Sequence, residues 1–330
     1  MTEARQAIVN WALAGALPRD ELPRALRVAG VTPTGAQWNT FLARLLTWLG
    51  AACLAAAAVY FIAANWQALG RFAKFALVEG ALVAALALAW WRGLDSLPGR
   101  AALFVAAVLM GVLLALVGQV YQTGADTFEL FAAWAAAIFV WVAISRQPAL
   151  WLLWIALVDV AIVLYFRTNA ARAVGVTGFL FAPRIALWIV FASNIAALAV
   201  WEWLGAARGG WLAVRWAPRV LAAVAGTVVT LLVAYDIVGL DSRAYGWSWA
   251  PYALFVGALY WVYRVRTVDL FMLAGMVLSM VVVVSFALGR PALEHGGAGA
   301  FLLIGLTLIG CAAAGGYWLR QVGAQTRGSP

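Results

Sequence analysis

Residues 101–119 read AALFVAAVLMGVLLALVGQ and contain no charged side chain. The stretch Val268–Arg290 is similar, with Asp269 and Arg290 as its only charges. About 18 or more apolar residues are enough for a helix to cross the hydrocarbon core of a bilayer, and both stretches reach that length. A membrane β-barrel would instead show strands of about ten residues with strict alternation, which the sequence lacks. The two stretches therefore predict membrane-spanning helices.

The rest of the chain has the same character. Apolar residues make up 66% of the 330 positions and charged residues 11%, whereas a soluble domain carries roughly 25% charged residues. We predict an all-α integral membrane protein with about ten transmembrane helices. The predicted spans are 45–65, 72–91, 101–121, 128–145, 149–166, 183–204, 218–240, 249–263, 268–289 and 299–319.

The segments outside this bundle are short. Residues 1–44 repeat apolar positions at helical spacing on both sides of a break at 15–18, which predicts a helical hairpin on the cytoplasmic membrane surface. Asp20 is the expected N-cap of its second helix, with Pro23 in the first turn. The bundle itself covers 45–320, and 321–330 form a tail.

The ten spans divide into halves of similar length, 45–166 and 183–319. Five helices in each half would make any internal repeat inverted, as in many secondary transporters. No residues align between the halves, so this comparison is one of architecture alone.

Basic residues set the expected orientation. With the N-terminus inside, inner segments hold 15 of the 22 Lys and Arg residues and outer segments hold 7. Cytoplasmic loops are enriched in Lys and Arg, so both termini of this inner-membrane protein are predicted to be cytoplasmic. The formal net charge of +9 is explained in this way, and no basic stripe interleaved with aromatics indicates nucleic-acid binding.

Polar motifs close the first and third predicted spans. They are Ala63-Ala64-Asn65-Trp66 and Gly118-Gln119-Val120-Tyr121-Gln122, the latter followed by Gly124 and Asp126. Together with Trp11, Gly15 and the run Leu17-Pro18-Arg19-Asp20-Glu21, they make residues 1–147 resemble a family of bacterial membrane proteins, the domain of unknown function 2157 family. The resemblance implies a bacterial membrane setting and no reaction.

On the predicted topology both motifs face the outer side at one membrane depth. Amides, aromatic rings and a carboxylate suit hydrogen bonding and stacking to a polar ligand. The alternative is structural, because such residues also cap helix ends and anchor at the interface. The candidate ligand-binding residues here are Asn65, Trp66, Gln119, Tyr121, Gln122 and Asp126.

Among the carboxylates inside predicted spans, four are singled out: Glu79, Asp159, Glu202 and Asp236. Glu79 and Asp159 lie well within theirs, and a charge at the bilayer centre costs roughly 2.5–3.5 kcal/mol, so both are expected to face the bundle interior. Both join the candidate ligand-binding residues; the alternative for Asp159 is a structural carboxylate held by a neighbouring helix. Glu202 and Asp236 lie near span ends and are expected at the water interface.

No catalytic, metal or cofactor site is predicted. His295 is the only histidine and lies in a loop, while Cys53 and Cys311 lie in apolar runs, so a zinc or iron site of these ligands is not expected. Ser279 and Ser285 lack the glycine-rich turn of a nucleophile. The protein is therefore not expected to be an enzyme.

Two functions fit these features. The first is a small-solute carrier or polar-ligand-binding protein, whose partners are the bilayer and a polar small molecule. The second is a non-transporting scaffold or accessory subunit that packs against another membrane protein. A polar cavity reaching Asp159 favours the first, and a sealed apolar bundle favours the second.

Overall fold

A computed structural model describes residues 2–18, 20–30, 34–64, 70–172, 176–239, 246–294 and 298–328. Within these ranges every regular element is helical, which confirms the all-α class. The helices are α1 (Thr2–Leu13), α2 (Leu22–Val28), α3 (Gly35–Ala64), α4 (Arg71–Arg92), α5 (Leu97–Tyr121), α6 (Thr127–Ser145), α7 (Pro148–Arg172), α8 (Val176–Arg208), α9 (Trp216–Val238), α10 (Trp249–Tyr260), α11 (Leu270–Glu294) and α12 (Ala298–Gly328). A π-helical segment, Trp261–Arg266, continues α10.

Seven of the helices in the described ranges are long and apolar enough to cross a membrane: α4 to α9 and α11. The chain is thus a membrane protein with several apolar helices. The predicted count of about ten is not confirmed. Helix α10 has 12 residues, or about 18 Å at 1.5 Å per residue, well short of a hydrocarbon core of about 30 Å.

The N-terminal region differs from the prediction in two places. Glu21, and not Asp20, occupies the N-cap of α2, while Pro23 lies in the first turn as expected. Helix α3 begins at Gly35, ten residues before the predicted span. Thr34 and Gln37 explain this start, because the Thr34 Oγ1 accepts from the Gln37 N–H at 3.3 Å and the Gln37 Oε1 accepts from the Thr34 N–H at 3.1 Å. Reciprocal bonds of this kind form a capping box.

The chain forms two compact units. The first comprises residues 1–106 and 324–330, and the second comprises residues 107–323. In the first unit, the rings of Trp48 in α3 and Phe104 in α5 pack edge to face, with their centroids 5.7 Å apart. The predicted halves, 45–166 and 183–319, follow a different division and stay a prediction.

The second unit packs consecutive helices against one another. Contacts run in series from α6 to α7, α8 and α9, and α11 then packs on α9. At the start of this series, the Trp134 Nε1 of α6 donates to the Ala107 carbonyl of α5 at 2.7 Å. A Cβ added at Gly111 would overlap the Trp134 ring, so the glycine permits this close approach.

Helix α9 forms the centre of this unit. Its residues Leu221, Ala225, Val229 and Val233 are buried and belong to one core cluster with side chains of α8, α10 and α11. Apolar packing around α9 therefore fixes the positions of the polar side chains near its ends.

Candidate functional site

Asp159 of α7 is bound by two side chains of α8. The Asn194 Nδ2 donates to its Oδ2 at 2.7 Å, and the Ser193 Oγ lies 3.1 Å from its Oδ1 as a donor. Asn194 is only 1% exposed and also donates to the Val190 carbonyl at 2.9 Å. Asp159 thus faces the neighbouring helix, as the cost of a lipid-facing charge requires, and both of its oxygens are engaged.

The third-span motif forms the connection between α5 and α6. Gln119 and Tyr121 lie in the last turn of α5 and are exposed, and Gln122 has a left-handed φ of 45°. Asp126 is the N-cap of α6: its carboxylate accepts from the Glu129 N–H, and the Glu129 Oε2 accepts from the Asp126 N–H at 3.1 Å. The capping box gives Asp126 a structural task, so a ligand role for this motif stays a prediction.

The other candidate residues do not join this group. Asn65 and Trp66 lie outside the described residues, as does His295. Glu79 is described and lies on α4, where its side chain is exposed rather than directed into a helix interface. The expectation that Glu79 faces the interior is wrong, because the neighbouring buried positions of α4, Lys74, Val78 and Leu82, lie on another face of that helix.

An ion pair that the sequence did not predict links α8 to α9. The Arg184 Nη2 lies 2.5 Å from the Asp236 Oδ1, and the Asp236 Oδ2 accepts from the Ser248 N–H at 3.0 Å. Arg184 also donates to the Ser248 Oγ at 3.2 Å. Asp236 is 2% exposed and Ser248 is fully buried, so the prediction that Asp236 meets water is wrong. We call these three residues the Arg184 cluster.

A second charged group joins the opposite ends of α8 and α9 to the start of α11. Arg215 lies 3.4 Å from Glu202 and 3.3 Å from Asp269, and Arg219 lies 3.1 Å from Asp269. The Tyr263 hydroxyl donates to the Glu202 Oε1 at 2.8 Å. These five residues are the Arg215 cluster, and the sequence did not predict that they come together.

Asp269 also caps α11. Its Oδ1 accepts from the Phe271 N–H at 3.0 Å and the Met272 N–H at 3.5 Å. Burial raises the pKa of the Asp269 carboxyl, but the hydrogen bond and positive charge of Arg219, with the two backbone N–H groups, outweigh burial and leave the pKa below its usual range. The carboxyl therefore stays ionised and holds the cluster together at neutral pH.

Helix α10 runs between the two clusters. Ser248, which precedes α10, is bound to Asp236, and Tyr263, in the π-helical segment after it, is bound to Glu202. The chain from Ser248 to Tyr263 therefore runs from one end of α9 to its other end. Helix α10 is too short to span this distance alone, and the π-helical segment extends it.

The polar groups between α9 and α11 satisfy one another. The Ser279 Oγ lies 2.6 Å from the Thr230 Oγ1 and 3.2 Å from the Tyr252 hydroxyl oxygen. Thr230 also donates to the Gly226 carbonyl at 2.6 Å. Across the described ranges, no three His, Cys, Asp or Glu side chains are grouped so as to hold a metal ion.

Comparison with known proteins gives one match. Residues 9–151 match the family described as predicted membrane protein, DUF2157. The match confirms the resemblance for the N-terminal part of the chain, and it covers α3 to α6 together with the capping motif at Asp126. The Arg184 and Arg215 clusters lie beyond the DUF2157 match. No curated protein and no solved structure matches the chain.

Proposed function

We propose that the protein is a non-transporting membrane scaffold or accessory subunit, which packs laterally against another membrane protein. The engagement of Asp159 carries this proposal. A carrier needs polar groups that converge on a solute, yet both oxygens of this deeply placed carboxylate already accept from α8. Asp159 thus acts as a link between two helices.

The cavity beside α7 supports the same proposal. It has a volume of about 720 Å³, lies along α6 and α7, and is lined by apolar side chains such as Phe139, Trp154 and Ile162. Tyr165 supplies its one hydroxyl, and Asp159 does not line it. A cavity of this composition suits hydrocarbon or an apolar helix better than a polar solute.

Helix α12 offers the surface on which this function is tested. A Cβ added at Gly310, an exposed position of α12, would meet no atom within 4 Å. Small residues let membrane helices approach one another closely. A helix of another subunit packed against this face would exclude larger side chains there.

The test is the mass of the full-length protein extracted in polymer-bounded native-lipid discs. We expect an assembly heavier than one 35.2 kDa chain. Gly310→Leu should dissociate it while leaving the unfolding temperature unchanged. Gly80→Leu is the matched control, because an added Cβ at Gly80 on α4 also meets nothing.

A monomer in native lipid, for the unaltered protein and both variants, would overturn the scaffold proposal. If Gly310→Leu and Gly80→Leu dissociate the assembly equally, the loss is a general effect of a larger side chain in a membrane helix. That result would overturn the assignment of the interface to α12.

A further inference from the structure

A groove of about 490 Å³ lies between α9 and α11, with Phe255 of α10 forming part of its wall. Along α9 its lining runs from Arg219 to Leu231. A rise of 12 residues corresponds to about 18 Å of helix, slightly more than half of a hydrocarbon core of about 30 Å. The groove therefore has the depth of one membrane leaflet.

Small residues on both helices create the groove. Ala222, Ala223 and Gly226 line it on α9, and Ala274 and Gly275 line it on α11. A Cβ added at Gly275 would meet no atom within 4 Å, so the protein itself leaves this space unfilled. The groove is open because the residues that face it from α9 and α11 are small. A flexible hydrocarbon chain fits a gap of this kind.

The deep end of the groove is not a polar site. Thr230 and Ser279 are its polar side chains there, and their hydroxyls bond to each other, to Tyr252 and to the Gly226 carbonyl. Saturated hydrogen-bonding groups of this kind offer little to a polar solute. The deep end thus matches the apolar terminus of a ligand.

The shallow end is positively charged. Arg219 lines it, and the side chains of Arg219 and Arg215 are 38% and 41% exposed. Residues 202–219 and 261–269, the connections at this end, carry five arginines against two carboxylates, Glu202 and Asp269. Arginine guanidinium groups bind phosphate through paired N–H donors, and basic pockets between membrane helices bind anionic lipid headgroups.

We propose that this groove binds one acyl chain of an anionic phospholipid, with the lipid phosphate on Arg219. The ligand belongs to the leaflet on the side of the Arg215 cluster. This site is independent of the scaffold role, since it involves α9 and α11 rather than the exposed face of α12.

The experiment uses the full-length protein in neutral detergent and measures the unfolding temperature and the lipid retained in native mass spectra. Phosphatidylglycerol should raise the unfolding temperature and remain bound, while phosphatidylcholine with the same acyl chains should do neither. Gly275→Leu and Arg219→Gln should each weaken phosphatidylglycerol binding about tenfold. Ala223→Phe, which fills the groove from α9, should act like Gly275→Leu.

Matched controls separate the groove from general charge and bulk. Gly80→Leu repeats the glycine substitution on α4, and Arg208→Gln removes one exposed charge from the same end of the bundle; both should retain phosphatidylglycerol. Glycerol phosphate, which has no acyl chain, should not stabilise the protein.

Three outcomes would overturn the proposal. They are unchanged phosphatidylglycerol binding in both groove-filling variants, equal stabilisation by phosphatidylcholine, and equal stabilisation by glycerol phosphate. The first would show that the acyl chain does not occupy the groove. The second would show that the phospholipid charge is not recognised, and the third would show that the site binds an anion without an acyl chain. None of them depends on the oligomeric mass, which tests the scaffold role.

Discussion

The residue that best separates a structural role from a ligand role is Asp159. The free-energy cost of a membrane carboxylate made it predictable that Asp159 faces another helix. Its partners were not predictable, because the rotation of α8 about its axis decides whether Ser193 and Asn194 face α7. That rotation follows from packing over the whole helix, which no local pattern in the sequence records.

Asp159→Asn should cost little stability. The amide keeps a carbonyl oxygen for the Asn194 donor, and a membrane hydrogen bond contributes about 0.6 kcal/mol on average. Asn194→Leu should cost about 1–3 kcal/mol, because it leaves an oxygen of the half-buried Asp159 carboxylate without its donor. Denaturant unfolding in micelles compares the two variants. A larger loss for Asp159→Asn than for Asn194→Leu would contradict the structural role of this carboxylate.

At the scale of helices, apolar run length predicted most elements well and missed those governed by a few polar residues. The long apolar blocks became α4 to α9 and α11 near their predicted bounds. The start of α3 depends on Thr34 and Gln37, which a search for apolar runs passes over. The partners of Asp236 were also missed, since Arg184 lies 52 residues away at the far end of another helix.

Asp236→Asn should be strongly destabilising. It removes the negative charge that pairs with Arg184 in a mostly buried site, and breaking a buried ion pair costs about 3–5 kcal/mol. The double variant Arg184→Met with Asp236→Asn removes both charges and keeps an acceptor for the Ser248 N–H, so it should recover most of the loss. Unfolding free energies of the two single variants and the double variant form a double-mutant cycle. A double variant no more stable than Asp236→Asn would contradict the ion-pair explanation.

For the whole molecule, the orientation in the membrane is the largest open prediction. The excess of Arg and Lys on one side of the ten predicted spans predicts that both termini are cytoplasmic. The Arg215 cluster and the arginines around it would then lie at the cytoplasmic surface, where anionic lipids attract basic groups. The motif at Gln119 and Tyr121 would lie on the outer side.

Reporter fusions check this orientation directly. A fusion after Gln122 should report an outer location, and a fusion after Arg146 should report a cytoplasmic one, because the candidate membrane span α6 lies between them. A cytoplasmic report after Gln122 together with an outer report after Arg146 would show that the orientation is inverted. The lipid groove would then lie in the outer leaflet.

The spacing of the ion pairs along the chain affects how the protein is made. Arg184 precedes Asp236 by 52 residues, and Arg219 precedes Asp269 by 50. At roughly 5–20 residues per second, a ribosome needs about 3–10 s to synthesise such a stretch. Each arginine thus reaches the bilayer seconds before its carboxylate exists, and its long side chain extends to the headgroups meanwhile. A nascent chain stopped after α10 would keep Arg215 and Arg219 without Asp269, so their ion pairs with this carboxylate form only when α11 emerges.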